Sequence, residues 1–572
     1  AYESAGHCVL LAGPGSGKTK TLTVKLARML SEDVEEPRGI ACITYNNECA
    51  RELETRLDAL GIAPGGRVFI GTVHSFSLTQ ILLPYAKVAR LGLPDNFQVA
   101  TRRQTRTALA NAHAKVIRGP ENPQTWDFRL GQHRRRFLNR DIDAWRTADP
   151  QLTKLVEAYE AELRRMGVID FDDMPLLALR ALANHAWLRK AIAAKYPILA
   201  VDEYQDLGRA LHAMVMGLCF NAGIRLFAVG DVDQSIYGFT GANPELLRKL
   251  SERDDVETVR LGLNYRCGSQ IVTASEYALG EARGYRAPDG AHVGSIYFHP
   301  CTGGYPGQAR YLMEQLIPEI LARRPGLNLG EIAILYPAAF IGDEVTTAAT
   351  SNGYGVIRTD GNALYPRGSR LMRWLEQCAM WCCGGWRSGQ PRASRVFSEG
   401  AGLFQELLAT DDDRMEFQRD LVATLWDGRD EALSLHDWLA ALRDEIIKPR
   451  IGRARSLADE FETLNTFINR LGPTGDVDDF PLGGFAGIGT GLDRLNLSTL
   501  HSAKGREFDV VVLFAMDEGR LPRNSASEAD IREARRLFYV GFTRARHEVH
   551  LMHGYANPSR FVTEVKGRLA AE

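Results

Sequence analysis

The chain lacks any run of apolar residues approaching the roughly 18–20 that a bilayer-crossing helix needs. Its first residues, AYESAGHCVLLAG, carry no basic segment ahead of their short apolar stretch, so no secretory signal is read there. Cysteine is sparse and odd in number, nine in 572 residues, and only Cys378, Cys382 and Cys383 cluster. Three thiols at that spacing could belong to a metal site, but no fourth ligand stands close by. Free cysteine packs as a small apolar residue, so the preferred reading is buried thiols. These absences point to a cytoplasmic protein without a membrane anchor. An initiator Met is also missing, and a strand opens within a few residues, which suggests a trimmed sequence.

Net charge is nearly absent too: 69 Lys+Arg stand against 71 Asp+Glu, giving −2 and a pI near 6.7. Taken whole, that balance argues against a nucleic-acid partner, but its distribution does not. Between Thr101 and Arg140 stand Arg102, Arg103, Arg106, Lys115, Arg118, Arg129, Arg134, Arg135, Arg136 and Arg140, against only Glu121 and Asp127. Such a stretch is either an electrostatic footprint for phosphate or a solvated helical face. With 45% hydrophobic and 24% charged residues, collagen-like, mucin-like and wholly disordered chains are excluded. The length fits about three to five domains, or two large ones carrying insertions.

What is present is a series of short, wholly apolar runs bounded by turn residues. They are Cys8–Leu11, Gly39–Tyr45, Ile198–Val201, Leu226–Val229, Ile332–Leu335 and Val510–Phe514. Separated by helical patterns, they read as buried parallel strands. From Ile81 to Lys195 the pattern is largely helical, broken at Pro120–Gln124, and from Ser369 to Leu471 it is helical again. No short internal repeat is evident. The arrangement predicts an α/β protein with two parallel-sheet cores, each interrupted by a mainly helical insertion.

Ala12-Gly13-Pro14-Gly15-Ser16-Gly17-Lys18-Thr19 lies between the first strand and a helical segment from Lys20 to Leu30. Glycines let backbone N–H groups close around phosphates at a helix N-terminus, Lys18 brings a point charge, and the Thr19 hydroxyl suits Mg²⁺. Asp202 and Glu203 follow directly on the strand Ile198–Val201. An Asp at a strand end can hold Mg²⁺, and an adjacent carboxylate can orient or deprotonate water. Gln234, after another apolar strand, offers an amide that could report on a γ-phosphate.

The ordered segments AGPGSGKT, TYNN, GTVHSF, DEYQD, GDVDQSIYGFTGA, NYR, TLHSAKGREF and RRLFYVGFTRA resemble the UvrD/Rep group of superfamily 1 DNA helicases. The similarity runs to Pro558–Phe561 and is faint in both insertions. The resemblance implies two RecA-like phosphate-loop motor domains, 1A and 2A, each with a helical insertion, 1B and 2B. It assigns 1–80 and 196–261 to 1A, 81–195 to 1B, 262–369 and 491–572 to 2A, and 370–490 to a short 2B. ATP and Mg²⁺ are the implied cofactors.

By the same resemblance Lys18 and Thr19 take the phosphates and Mg²⁺ with Gly13, Gly15, Ser16 and Gly17, and Asp202 completes the metal site. Glu203 is the catalytic base, Gln234 senses the γ-phosphate, and Arg266 and Arg544 are arginine fingers. Tyr265 stacks on adenine, Glu507 meets the ribose, and Lys20 stands where relatives usually have Arg. Tyr45, Tyr237 and Phe239 become base-stacking aromatics, which suits a translocase because stacking is indifferent to sequence. Thr72, His74 and His501 lie near the DNA backbone. Relatives usually have Trp at Phe239 and Arg at Thr240, and an Arg and an Asn within the segment that reads Tyr336-Pro337-Ala338-Ala339 here. The implied grip on single strands is weaker, or moved elsewhere. The family's adenine-reading Gln motif would fall before Ala1.

The leading expectation is an ATP-dependent DNA helicase or translocase moving 3′→5′ on single strands and acting at junctions with duplex. The alternative is a DNA-stimulated motor that works only with a partner, such as a nuclease or a repair, recombination or phage-defence factor. A nucleotide-gated switch without translocation is disfavoured by the full hydrolytic set. Neutralising Arg134, Arg135 and Arg136 together is expected to weaken DNA binding.

Overall fold

The computed structural model describes residues 3–62, 67–238, 241–366, 369–404, 408, 410–451, 457–475, 477, 479–490 and 493–571. It divides into two compact units, Ala1–Ser295 with Ser525–Thr543 and Gly567–Glu572, and Ile296–Asn524 with Arg544–Lys566. Residues 262–295, placed with 2A by the sequence reading, pack in the first unit.

The first unit is built on a six-stranded parallel sheet. Its strands are β1 (His7–Ala12), β2 (Ile40–Thr44), β3 (Val68–Thr72), β6 (Ile198–Val201), β7 (Arg225–Gly230) and β8 (Val256–Leu261). They lie in the order β3-β2-β6-β7-β1-β8. Side chains alternate between the two faces of a strand, and both faces are covered here. Val9, Ala41, Ile43, Leu199, Val201 and Ala228 enter one core, while Cys8, Leu10, Ile40, Cys42, Ala200 and Phe227 enter the other. That two-sided burial is why these strands read as unbroken apolar runs.

The insertion between β3 and β6 is mainly helical, with one two-residue parallel ladder between β4 (Gln98–Val99) and β5 (Val168–Ile169). Helices Arg102–Val116 and Pro150–Arg165 pack together around Trp126, Trp145, Leu109 and Leu155. Thr101 and Gln104 form a reciprocal capping box that starts the first of these helices.

The second unit holds another six-stranded sheet, with β9 (Ser295–Cys301), β10 (Ile332–Tyr336), β11 (Gly355–Arg358), β12 (Arg494–Thr499), β13 (Phe508–Leu513) and β14 (Ala545–Gly554). Their order is β11-β12-β10-β13-β14-β9. Inserted between β11 and β12 is a helical body centred on Trp374, Phe404 and Phe417. Cys378 and Cys382 are buried in that core, and no cysteine among the described residues is in a disulfide. Among the described residues no group of three or more His, Cys, Asp or Glu is placed to hold a metal ion, and no helix is long and apolar enough to cross a membrane.

β14 and β9 bury a polar chain. His299 Nε2 and His550 Nδ1 are 3.0 Å apart, and His550 Nε2 lies 3.0 Å from Glu548 Oε2. Arg323 Nη2 donates to the same carboxylate oxygen at 2.9 Å. Burial, then the neighbouring His550 and Arg323, pushes His299 down to about 4, and burial also lowers His550. The unfolded chain binds protons near pH 6.5 while the folded one resists them. Stability from this pair is therefore complete above about 6.5 and falls as the pH drops toward 4. Since His299 is only partly shielded, a loss of about 2 kcal/mol is expected across that window. The check is the urea midpoint at pH 7.5 and 5.0 in wild type and His299→Asn. An equal shift in both would contradict the assignment.

Candidate nucleotide site and nucleic-acid groove

β1 feeds the loop Gly13–Gly17 and then the helix Lys18–Glu32. Gly15 (φ +66°) and Gly17 (φ +83°) take the left-handed conformation that lets the backbone fold back on itself. Close approach matters equally. A Cβ on Gly13 would stand 2.5 Å from the Tyr285 ring, and one on Gly15 2.3 Å from Asn264 Oδ1. Ser16 Oγ donates to the Gly13 carbonyl at 2.7 Å. Lys18 Nζ donates to the carbonyls of Ala12 (3.1 Å) and Gly13 (3.4 Å) and stands 3.9 Å from Asp231 Oδ2. Thr19 is half-buried beside it, and Lys20 is exposed.

The sheet order sets β7 and β6 beside β1, so their carboxyl ends carry Asp231 and Asp202 toward the loop. Ligands in open α/β sheets sit at such strand ends. Asp202 is buried, and burial together with the adjacent Glu203 pushes its carboxyl up to about 7, with Lys18 opposing. Burial likewise raises Asp231 to about 6 against the pull of Lys18. Two carboxylates this reluctant to ionise would be relieved by a cation. The hydroxyl of Thr19 and the carboxylate of Asp202 form an all-oxygen donor pair suited to a hard one such as Mg²⁺.

Glu203 has φ +49°, rare for a residue with a side chain. Its N–H donates to Asp202 Oδ1 at 3.0 Å, and its carboxylate accepts from Gln205 Nε2. Gln234 is buried and donates to Asp231 Oδ2 at 2.6 Å, so Asp231 ties this amide to the lysine's surroundings.

The segment Asn264-Tyr265-Arg266 closes on the loop. The Tyr265 N–H donates to the Gly15 carbonyl at 2.9 Å, and its ring is 66% exposed, leaving a face to stack on. Arg266 Nη1 donates to the Thr543 carbonyl at 3.3 Å, which joins two sequence motifs 277 residues apart. Sequence reasoning missed Asn264 as the brace of the loop, Tyr285 as the wall on Gly13, and Arg283. The last grips Asp233 with two hydrogen bonds of 2.7 and 2.8 Å. Asn264 stands in the NYR segment, but neither Tyr285 nor Arg283 stands in a pattern that declares it.

Three further candidates belong to the second unit. Arg544 is buried, and its carbonyl accepts from the Phe508 N–H at 3.0 Å, which sets Glu507 and Arg544 on neighbouring strand ends. Glu507 pairs with Arg546 at 3.5 Å. His501 is half-buried and lowered by burial and Arg523, so it is neutral at pH 7.

Away from the loop, the first unit has a groove of about 530 Å³. Tyr45, His74, Arg135, Arg136, Arg209 and Asn243 are among the residues that line it. Tyr45 stacks on Tyr237 with centroids 4.8 Å apart and planes 23° from parallel. His74 is lowered by burial and meets the edge of Phe171, an aromatic 63% exposed that sequence reasoning passed over. Its one signal is an aromatic set between acids in Asp170-Phe171-Asp172. The Thr72 hydroxyl accepts from the Ser75 N–H at 3.3 Å, capping the short helix Val73–Phe76. Phe239 lies outside the described residues.

The basic stretch resolves into unlike members. Arg134 is 1% exposed and cannot meet a phosphate. It binds Glu160, Asp170 and Asp173 at 3.0, 2.5 and 2.7 Å. Arg140 pairs with Glu160, Lys115 with Glu162, Arg129 with Asp149 and Arg135 with Asp172. Much of the local positive charge is therefore neutralised by acids from later in the chain. The expectation that Arg134, Arg135 and Arg136 act as one phosphate patch is corrected for Arg134.

Comparison with known proteins agrees with this layout. The UvrD/REP helicase N-terminal domain matches residues 1–255, and the UvrD-like helicase C-terminal domain matches 487–553. The ATP-dependent DNA helicase Rep of Salmonella typhimurium is 26% identical over 614 aligned positions, covering 95% of this chain and 88% of that protein. DNA helicase II of Escherichia coli is 26% identical over 634, covering 98% and 85%. The ATP-dependent DNA helicase PcrA of Leuconostoc citreum is 26% identical over 643, covering 99% and 83%. The two domain matches together span more than half of the sequence, on either side of the second helical insertion, and the chain belongs to the UvrD/Rep helicase family.

Proposed function

We propose that this protein is an ATP-dependent DNA helicase that moves 3′→5′ on single-stranded DNA and separates duplex. The observation that carries this reading is the convergence of Lys18, Asp231, Asp202 and Glu203 at the carboxyl ends of three neighbouring strands. A binding switch needs the loop and the lysine; a carboxylate pair beside them is what hydrolysis needs. In this reading the loop N–H groups and Lys18 hold the phosphates. Thr19 and Asp202 would hold Mg²⁺, which would neutralise phosphate charge. Glu203 takes the proton of the attacking water, and Gln234 reports the γ-phosphate through Asp231. Arg266 and Arg544 stabilise transition-state charge, an effect of about 10³–10⁵ in rate for such fingers. Tyr265 and Glu507 contact adenosine.

Tyr45, Tyr237, Phe239 and His501 face the bases or backbone of the strand, with Thr72 and His74 alongside. The domains follow as 1A, 1B, 2A and a short 2B, with 262–295 packing in the first unit instead of with 2A. A partner-dependent motor is the second reading, favoured by the uncharged segment after β10. There Tyr336 is buried and its hydroxyl is tied to Asp360.

The deciding experiment is ATP-driven unwinding of 3′-tailed and 5′-tailed duplexes. Separation of the 3′-tailed substrate alone is expected. Single-stranded DNA stimulating ATP hydrolysis without any unwinding would move the case to the partner-dependent motor.

A further inference from the structure

Among the described residues, two arginines in the groove of the first unit have no carboxylate partner. Arg136 is exposed at the end of the helix Asp127–Arg136, where its guanidinium only overlies the Phe137 ring at 5.1 Å. Arg209 is exposed on the helix Arg209–Val215. The two helices pack against each other, and both arginines line the same groove as Tyr45, with Asn243 beside them. The acids there are already engaged or buried: Asp172 accepts twice from Arg135, at 3.0 and 2.9 Å, and Asp206 is 3% exposed. Two exposed guanidiniums lining one groove with an aromatic wall leave donors and positive charge available to an anion. Arg binds phosphate through a planar fork of donors, which suits it to grip a backbone without reading sequence.

We propose that Arg136 and Arg209 form a two-helix phosphate clamp for single-stranded DNA, one jaw on the helical insertion and the other on the motor. The clamp supplies the positive charge missing after β10 and so relocates the grip on the strand. It rests on the reading of the chain as a DNA helicase.

The test uses the full chain and a fluorescent oligothymidylate, with affinity measured across a salt series and DNA-stimulated ATPase measured in parallel. Arg136→Ala and Arg209→Ala are each expected to weaken binding about 3–10-fold. Each should also lower the salt slope by about 0.7, the value for one phosphate contact on a single strand. ATP turnover without DNA, and turnover at saturating DNA, should stay at wild-type values. Arg209→Lys should keep the slope, and Arg118→Ala, an exposed arginine outside the groove, should change nothing. Wild-type affinity and slope in both alanine variants would overturn the clamp while leaving the helicase reading intact. Failure of the wild type to bind the oligonucleotide would instead overturn that reading.

Discussion

Glu203→Gln is expected to bind ATP and to lose hydrolysis, with kcat falling about 10²–10⁴-fold, the usual weight of a general base. The substitution keeps shape and size. The hydrogen bond from the Glu203 N–H to Asp202 belongs to the backbone and survives, as does the partner Gln205, whose amide can turn to meet the new side chain. What disappears is the one group at the strand end able to take a proton from water. Lys18→Ala should fail earlier, at nucleotide binding, because it removes the positive charge that stands beside Asp231 and the loop carbonyls. Nucleotide affinity from a fluorescent analogue, measured beside steady-state turnover, separates the two. Substantial hydrolysis by Glu203→Gln would remove it from the role of base.

Arg134→Ala is expected to cost about 3–5 kcal/mol of stability, the range for breaking a buried ion pair from one side. Its guanidinium is the meeting point of three carboxylates, and the Tyr159 hydroxyl adds a 2.8 Å hydrogen bond to one of them, Asp170. Burial opposes the Asp170 carboxylate, and Arg134 outweighs that and holds it below its ordinary range. Removing the arginine leaves several buried acids with too little compensation. Arg164 still reaches Asp173 and Arg140 still reaches Glu160, but neither is bonded to Asp170. Denaturant unfolding followed by tryptophan fluorescence, to which Trp126 and Trp145 in the core of the insertion contribute, is the measurement. A loss below about 1 kcal/mol would show that the insertion does not depend on this centre. With the expected loss, any DNA-binding defect in Arg134→Ala follows from unfolding, in contrast to Arg136→Ala, whose stability should be unchanged.

The contrast between these arginines marks where sequence reading works and where it stops. Strands β1, β2, β6, β7, β10 and β13 were legible because burial on both faces keeps their central residues apolar, with polar residues such as His7, Thr44, Arg225 and Asp509 toward the ends. The phosphate loop and the Asp202–Glu203 pair were legible because they follow such strands directly. β14 was not, since it carries His547, Glu548, His550 and His553, two of them in a buried polar chain, and a polar strand looks like surface until its partners are known. β8, at the sheet edge and partly exposed, lacks the continuous apolar run as well. Counting charge along the chain likewise gave ten arginines and lysines against two acids. The acids that neutralise them, Glu160, Glu162, Asp170, Asp172 and Asp173, arrive 20 or more residues later, on the helix Pro150–Arg165 and at the turn into the helix Asp173–Asn184. Tyr285 and Asn264 owe their place to a glycine loop that admits no Cβ, a constraint visible only once the chain is folded.

The central claim is that this is a motor whose ATP site answers to DNA. Its most direct test is steady-state ATP hydrolysis by the full chain with and without a saturating single-stranded oligonucleotide, with Glu203→Gln as the background. A severalfold rise on adding DNA, absent in Glu203→Gln, is the predicted result. Hydrolysis that is the same with and without DNA would contradict it.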